Sequence, residues 1–287
     1  MNQQRLGFLH PGAMGIYLAS TVVNSDHKAY WVSEGRSQRT RDRATKYSLL
    51  ETPTLSELCE ICTTIFSICP PDSALEVAKQ VLACGFEGTY VDANAVSPQR
   101  VQEIAAPMVE AGVNFVDGGI IGLPLRDSDT TWLYLSGSHA NDVAACFTAG
   151  PLRVDVIGET IGKASALKMC YAAKTKGTTA LLCALEAAAE ELGVRTELEN
   201  QWRRENAESV EHVVAAIRQA TAKAWRFSGE MKEIAATFEN AGLPGDFYYA
   251  AAELYRRMAH FKGEEELPEI VEVLAALVHK NKSVQAK

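Results

Sequence analysis

Short apolar runs alternate with amphipathic stretches through the first 157 residues, and longer amphipathic stretches fill the remainder. Apolar runs bounded by turn residues read as buried strands, and apolar positions recurring every three to four residues read as helices. Leu6, Phe8 and Leu9 open the series as a strand, and Ile16, Ala19 and Val23 share one face of a helix ending near Asn24. Ala29 to Ser33 predicts a second strand, Leu55 to Glu60 a helix, and Thr63 to Cys69 a third strand, ended by Pro70 and Pro71. Asp72 or Ser73 can cap the next helix. A strand from Thr89 to Asp92 precedes a helix entered at Ser97-Pro98, where proline suits the first helical position. Val113 to Gly118 predicts another strand and GGIIGLPLRDSD a loop, after which TWLYLSG and LRVDVIG flank a helix beginning near His139. Such alternation builds an α/β fold, a mostly parallel, doubly wound sheet with ligands at the carboxyl ends of its strands.

From Thr160 to Leu192 the chain is rich in Ala, Leu and Lys, contains no Pro and stops at Gly193, which predicts one long helix. Further helices are expected at Ala207–Phe227, Glu230–Asn240, Phe247–His260 and Glu266–Lys280, and the turn AGLPGD separates two of them. The boundary therefore falls near Gly158, between an α/β domain over 1–158 and an all-helical domain over 159–287.

The bulk numbers narrow the function classes. At 287 residues, 47% hydrophobic and 22% charged, the chain has globular composition and length for two domains. A net charge of −8 argues against a general nucleic-acid or anionic-membrane surface. No apolar run reaches spanning length and the N-terminus lacks the pattern of a secretory signal, so a soluble, cytoplasmic protein is expected. Seven cysteines scattered through apolar segments fit reduced thiols, and Cys59 and Cys62 read as core thiols because no second pair stands at zinc-ligand spacing. No metal site is expected.

Candidate chemistry begins in the first turn. Gly12 and Gly15 have the spacing of the last two glycines of G-x-G-x-x-G, and His10 stands in place of the first. In that fingerprint the second glycine lets backbone approach a pyrophosphate and the third lets helix pack on strand. His10, Pro11, Gly12, Ala13 and Met14 are thus candidates for cofactor binding, with Pro11 stiffening the turn; an ordinary glycine turn is the alternative. The end of the second strand is where such folds read the ribose 2′ position. Between Ser33 and Lys46, five cations (Arg36, Arg39, Arg41, Arg43 and Lys46) face two acids, Glu34 and Asp42. That excess favours a 2′-phosphate held by Ser33, Arg36 and Ser37, and hence NADP (NADPH), over a solvated basic helix face. Glu34 is the contrary signal, an acid near the position that binds a free ribose. Cys69 and Pro70, where the third strand ends, complete the cofactor set.

GFLHPGAMG at the start, VDANAVSP at 91–98, VDGGIIG at 116–122 and IGKASALKMCYAAK at 161–174 carry a resemblance. Their order and spacing are those of the β-hydroxyacid dehydrogenase superfamily, which includes 6-phosphogluconate dehydrogenase, and the chain resembles it over nearly its full length. The C-terminal half is most similar to a phosphogluconate-dehydrogenase-like branch. The resemblance implies a Rossmann-type first domain, and a first motif that binds pyrophosphate. It also implies a second motif beside the nicotinamide, a third that holds substrate and a fourth that carries a catalytic lysine. By that match the lysine is Lys168, Gly119, Ile121 and Gly122 face substrate, and Asn94, where many relatives have Ser, contacts substrate or nicotinamide or else satisfies its own turn. Relatives with interlocking helical domains imply a homodimer through the second domain.

Removing hydride from an alcohol requires a base for the hydroxyl proton, and the reverse reduction requires an acid. A lysine whose ammonium is destabilised by burial can serve as both. Tyr171 follows on the same helical face, where relatives usually have Asn, and its phenol can donate a hydrogen bond or a proton to substrate. Ile121-Gly122-Leu123 replaces the family's usual Ser-Gly-Gly, so the familiar small hydroxyacids are not specified; Arg126 is a possible charge for an anion or a solvated loop residue. Phe247, Tyr248 and Tyr249 either close the cleft or pack between helices. The expected activity is an NADP-dependent oxidoreductase acting on an alcohol or carbonyl of a small anionic metabolite. The alternatives are an imine reductase using Tyr171, against which the retained Lys168 tells, and a cofactor-binding sensor or scaffold without turnover.

Overall fold

The computed structural model describes residues 3–122, 131–150 and 152–278. Its packing divides the chain into two compact units, Met1–Met169 and Cys170–Lys287. In the first unit, β1 (Arg5–Phe8) leads into α1 (Ala13–Asn24), β2 (Lys28–Val32) into α2 (Gln38–Lys46), and β3 (Leu50–Thr52) into α3 (Leu55–Ile61). Then come β4 (Thr64–Ser67), α4 (Ala74–Ala83), β5 (Thr89–Asp92), α5 (Pro98–Glu110) and β6 (Asn114–Ile121). β7 (Thr131–Ser136), α6 (Ala140–Ala144), β8 (Leu152–Val156) and α7 (Lys163–Ala172) follow, and the division between the units falls within the last, after Met169.

The eight strands form one sheet in the order β3-β2-β1-β4-β5-β6-β7-β8. The first six are parallel in the order of a dinucleotide-binding sheet, and β7 pairs antiparallel to β6 with β8 parallel beside it. Strand order reverses between β1 and β4, so a crevice opens where those two strands end. The mostly parallel, doubly wound sheet expected from the sequence is therefore present, with an antiparallel edge. Side chains alternate across it: Leu6, Phe8, Phe66, Val91 and Val116 pack beneath α1, whereas Ile65, Tyr90 and Phe115 pack with α3, α4 and α5 on the opposite face. Burial of both faces is what a covered parallel sheet requires. Ser97 caps α5 by accepting from Arg100 N at 3.3 Å, with Pro98 at the first helical position, as its spacing predicts. Ser73 precedes α4 without a side-chain cap bond.

Two elements escape the periodicity reading for the same reason. β3 is a three-residue edge strand with Leu50 and Glu51 exposed, and α2 buries only Ala44, so neither carries an apolar repeat. β6 runs past Gly118 to Ile121 because Gly118 to Ile121 pair with Leu135 to Trp132, although glycines there suggest a loop. Leu123 and Arg126 lie outside the described residues. Cys59 and Cys62 are buried, and burial pushes both thiols up to about 12, which keeps them neutral.

The second unit is helical: α8 (Thr178–Glu191), α9 (Arg195–Glu205), α10 (Ser209–Thr221), α11 (Ala224–Asn240), α12 (Asp246–Arg257) and α13 (Ile270–Leu277). The single helix expected from Thr160 to Leu192 begins at Lys163 and is interrupted by a π turn over Ala173–Gly177. α9 was not anticipated, since it buries no residue; Arg195 at its start instead pairs with the buried Glu186 at 2.8 Å and with Glu199 at 2.9 Å. The break placed near Phe227 falls at Ala222 and Lys223, where no Gly or Pro marks it. Phe238 packs at a tilt against Tyr248, with centroids 4.6 Å apart, and Tyr249 donates to Glu239 at 3.0 Å, so two of the three aromatics tie α12 to α11. Among the described residues no helix is long and apolar enough to cross a membrane.

Candidate active site

The candidate residues of the first unit lie at the carboxyl edge of the parallel strands. The turn from β1 to α1 closes through Gly12 N donating to His10 O at 2.8 Å. α1 begins with no side-chain cap, so its first amides have no intrahelical acceptor and face outward, the arrangement that receives an anion. A Cβ on Gly12 would meet nothing within 4 Å, whereas one on Gly15 would lie 2.3 Å from the His10 carbonyl oxygen. The two glycines thus have separate jobs. Gly12 leaves room above the backbone, and Gly15 is compelled by helix packing on the turn. Arg43, from α2, donates to Pro11 O at 3.0 Å and braces the same turn.

β2 ends at Val32, and the following residues turn back over this site. Ser33 is 5% exposed and its carbonyl accepts from Arg41 at 2.8 Å, while Arg41 also pairs with Glu51 at 3.1 Å. Gly35 has φ +67°, which lets Arg36 swing inward, and Ser37 precedes α2 with its hydroxyl 3.2 Å from that of Thr40. Leu9, His10, Val32, Glu34, Arg36 and Leu55 help to line a cleft of about 190 Å³. His10 Nδ1 and Arg36 Nε are both buried there without a hydrogen-bond partner. Burial, with the nearby Arg36 charge, pushes the His10 imidazole down to about 4, so it is neutral at physiological pH. Unpartnered nitrogens beside an uncapped helix start suit a phosphorylated ligand. The residues fit a nicotinamide cofactor.

Where β4 and β5 end, Asn94 knits the strands together. It is 3% exposed; its Oδ1 accepts from Cys69 N at 2.6 Å and its Nδ2 donates to Ser67 Oγ at 3.1 Å. Its amide therefore fixes the Cys69-Pro70 turn at the crevice. Burial pushes the Cys69 thiol up to about 11, so it is not a nucleophile at neutral pH. Asp92 accepts from Asn94 N at 3.1 Å through one oxygen and leaves the other unpartnered. Burial raises its carboxyl to about 7, against the opposing pull of the Asn94 bonds and with Asp117 adding to the rise. The folded chain thus binds a proton that the unfolded chain releases above pH 3.8. That contribution is complete below the unfolded value and is lost as pH rises through about 7, an effect of up to ~4 kcal/mol. Thermal melts should show Asp92→Asn gaining on the wild type between pH 4 and pH 8; parallel curves would exclude Asp92 as the titrating group.

β6 and α7 form the last part. Lys168, half-buried on α7, donates from Nζ to the carbonyl of Ile120. A Cβ on Gly119 would lie 2.6 Å from Ala164 O and 3.3 Å from Lys168 Cβ, so Gly119 lets α7 lie directly on the strand. Ile121 is buried at the strand's end and Gly122 follows with φ +122°. Asp117, fully buried on β6, accepts from Gly162 N at 2.9 Å, Ser165 N at 3.0 Å, Ser165 Oγ at 2.6 Å and Ser136 Oγ at 3.0 Å. Burial raises its pKa, and these donors oppose the rise. Tyr171, on the far side of the division between units, is 44% exposed.

The sequence-predicted residues of the first unit thus gather along one sheet edge, from His10 and Arg36 through Cys69, Pro70 and Asn94 to Gly119, Ile121, Gly122 and Lys168. Sequence reasoning counted Arg43 only as one of five cations, without its bond to Pro11, and missed Asp117, Ser136 and Ser165. The acid inside VDGGIIG was the one available signal, since a charge within an apolar strand requires partners.

Comparisons with known proteins agree with this architecture. Residues 5–147 match the NAD binding domain of 6-phosphogluconate dehydrogenase, and residues 189–258 match a domain of unknown function, DUF1932. An uncharacterized 28.5 kDa protein of Methanothermus fervidus, from the 5′ region of its 7S RNA, is 31% identical over 194 residues, 68% of this chain and 74% of that protein. A conserved protein of unknown function, described as structurally similar to 3-hydroxyacid dehydrogenases, superposes with TM-score 0.64 at 26% identity, covering 90% of this chain and 98% of that one. Mycobacterium tuberculosis 3-hydroxyisobutyrate dehydrogenase, solved with L-serine, superposes with TM-score 0.71 at 14% identity, over 97% of this chain and 100% of that one, a likeness of fold. With a nicotinamide-cofactor domain followed by a helical unit, the chain belongs to the β-hydroxyacid dehydrogenase-like superfamily that includes 6-phosphogluconate dehydrogenase.

Proposed function

We propose that this protein is an NADP-dependent oxidoreductase that interconverts an alcohol and a carbonyl in a small anionic metabolite, with Lys168 as general acid and base. The observation that carries the reading is Lys168 Nζ on the Ile120 carbonyl, at the same sheet edge as the uncapped start of α1. A nicotinamide, when bound, supplies or accepts hydride at a carbon. The chain's own residues do the rest. In oxidation the Lys168 amine takes the hydroxyl proton, and in reduction its ammonium returns a proton to the carbonyl oxygen. The Ile120 carbonyl accepts one amine hydrogen, which limits the rotations of a four-carbon side chain. The α1 amides and the space above Gly12 receive the pyrophosphate, and Asn94 holds the Cys69-Pro70 turn as the wall beside it.

Cofactor choice rests on Arg36 and Ser37 against Glu34, all at the end of β2. Arg36 brings a half-buried guanidinium, its Nε without a hydrogen-bond partner, to the cleft, where a 2′-phosphate would find its partner, and Ser37 adds a hydroxyl at the start of α2. Charge-assisted bonds of this type contribute about 1.5–3 kcal/mol, or roughly 10- to 100-fold in affinity. Fluorescence titration should show NADPH binding more tightly than NADH. Arg36→Ala should weaken NADPH by about tenfold or more while changing NADH by less than about twofold. Equal or tighter NADH binding by the wild type overturns the assignment and makes Glu34 the ribose ligand.

A further inference from the structure

We propose that Asp117 is a positioning residue for Lys168, its buried carboxylate setting where α7 lies on β6 and so where the amine is delivered. The proposal rests on the reading of Lys168 as the acid and base, and adds the device that holds it there.

The start of α7 is a helix N-terminus buried against a strand, so its free amides need partners inside the protein. Asp117 and Ser136 supply them. One carboxylate oxygen, Oδ2, accepts from Gly162 N, Ser165 N and the Ser136 hydroxyl, and the other accepts from the Ser165 hydroxyl. Ser136 Oγ in turn accepts from Ala164 N at 3.1 Å. Asp117 and Ser136 face each other across the β6–β7 pair, so the clamp is built on two strands already in register. A negative charge at this end of α7 is also favoured by the helix dipole.

Three consecutive features of β6 then match three of α7. Asp117 fixes Gly162 and Ser165, Gly119 admits the backbone at Ala164, and the Ile120 carbonyl receives Lys168 Nζ. Lys168 lies one turn beyond Ser165, so a shift or rotation of the helix start carries the amine away from Ile120. A displacement near 1 Å can cost about 10²-fold in rate. Asp117 never meets substrate in this arrangement. It acts through the helix.

The test compares wild type, Asp117→Asn and Ser165→Ala by two readouts. The first is the pH dependence of Lys168 labelling by trace acetic anhydride, read by peptide mass spectrometry, with exposed Lys28 as the internal reference. The second is the split between kcat and the affinity for NADPH. Asp117→Asn should change Lys168 labelling relative to Lys28 by at least about fivefold or shift its pH midpoint. It should also lower kcat by about 10²-fold and leave NADPH affinity within about twofold. Ser165→Ala keeps the carboxylate and most of its donors, and should move both readouts in the same direction by about threefold or more. It carries the test if Asp117→Asn does not fold. Unchanged labelling and kcat in a folded variant overturn the proposal. If Lys168→Ala retains activity, the acid and base reading fails, whereas the labelling still decides whether Asp117 positions the amine.

Discussion

Replacing Lys168 with alanine should lower turnover by about 10²–10⁴-fold and leave NADPH affinity within about twofold. The asymmetry follows from where the residue sits. Lys168 meets the Ile120 carbonyl at the end of β6, whereas the cofactor phosphates are expected at the start of α1 and the end of β2. Proton transfer by a positioned side chain contributes about that range, and among the described residues no second lysine donates to a β6 carbonyl. Steady-state kinetics beside a fluorescence titration would separate the two effects. A variant that loses NADPH binding together with turnover would place Lys168 in cofactor binding instead.

The second large effect should appear at the opening turn, where two glycines three residues apart answer differently to the same substitution. Gly15→Ala forces a methyl group to within 2.3 Å of a backbone carbonyl that cannot rotate away, so α1 must lift from the turn. Such overpacking costs about 3 kcal/mol or more, and displaces the amides that would receive pyrophosphate. Thermal melting should fall by several degrees, and NADPH binding should be lost. Gly12→Ala meets no protein atom within 4 Å, so its melting temperature should stay close to that of the wild type. Its NADPH affinity should nevertheless fall about tenfold or more, because the added methyl occupies the space left for the ligand. Equal stability of the two variants would contradict the packing role of Gly15; full NADPH binding by Gly12→Ala would contradict the placement of the pyrophosphate.

That turn was legible in the sequence because its chemistry is local. Gly12, Gly15 and the strand before them lie within a few residues, and the missing first glycine was visible as His10. Lys168 needed four motifs in register, since a lysine on a helix is ordinarily a surface residue. Asp117 could not be paired from the sequence, because its partners Ser136, Gly162 and Ser165 lie 19, 45 and 48 residues away. Arg43 is similar: its bond to Pro11 spans 32 residues and crosses from α2 to the first turn. Among the secondary elements, β3 and α9 escaped because exposed polar elements carry no apolar repeat, and tertiary pairing alone defines them. The π turn at Ala173–Gly177 left no mark in a run of good helix formers. Gly118 to Ile121 misled in the other direction, as glycines serving close packing look the same as glycines serving a loop.

The central claim is that hydride moves between NADPH and a carbonyl carbon while Lys168 handles the proton. Deuterium transfer tests it most directly. The wild-type chain would be incubated with NADPH deuterated at the nicotinamide C4, separately on each face, and with a panel of small oxo acids and cyclic imines, and the products read by mass spectrometry. The account predicts deuterium at the carbinol carbon of at least one hydroxyacid product, from one face only, with transfer slowed by about 10²-fold or more when Lys168→Ala replaces the wild type. Deuterium in an amine product alone, or tight NADPH binding with no transfer to any carbonyl, would contradict it.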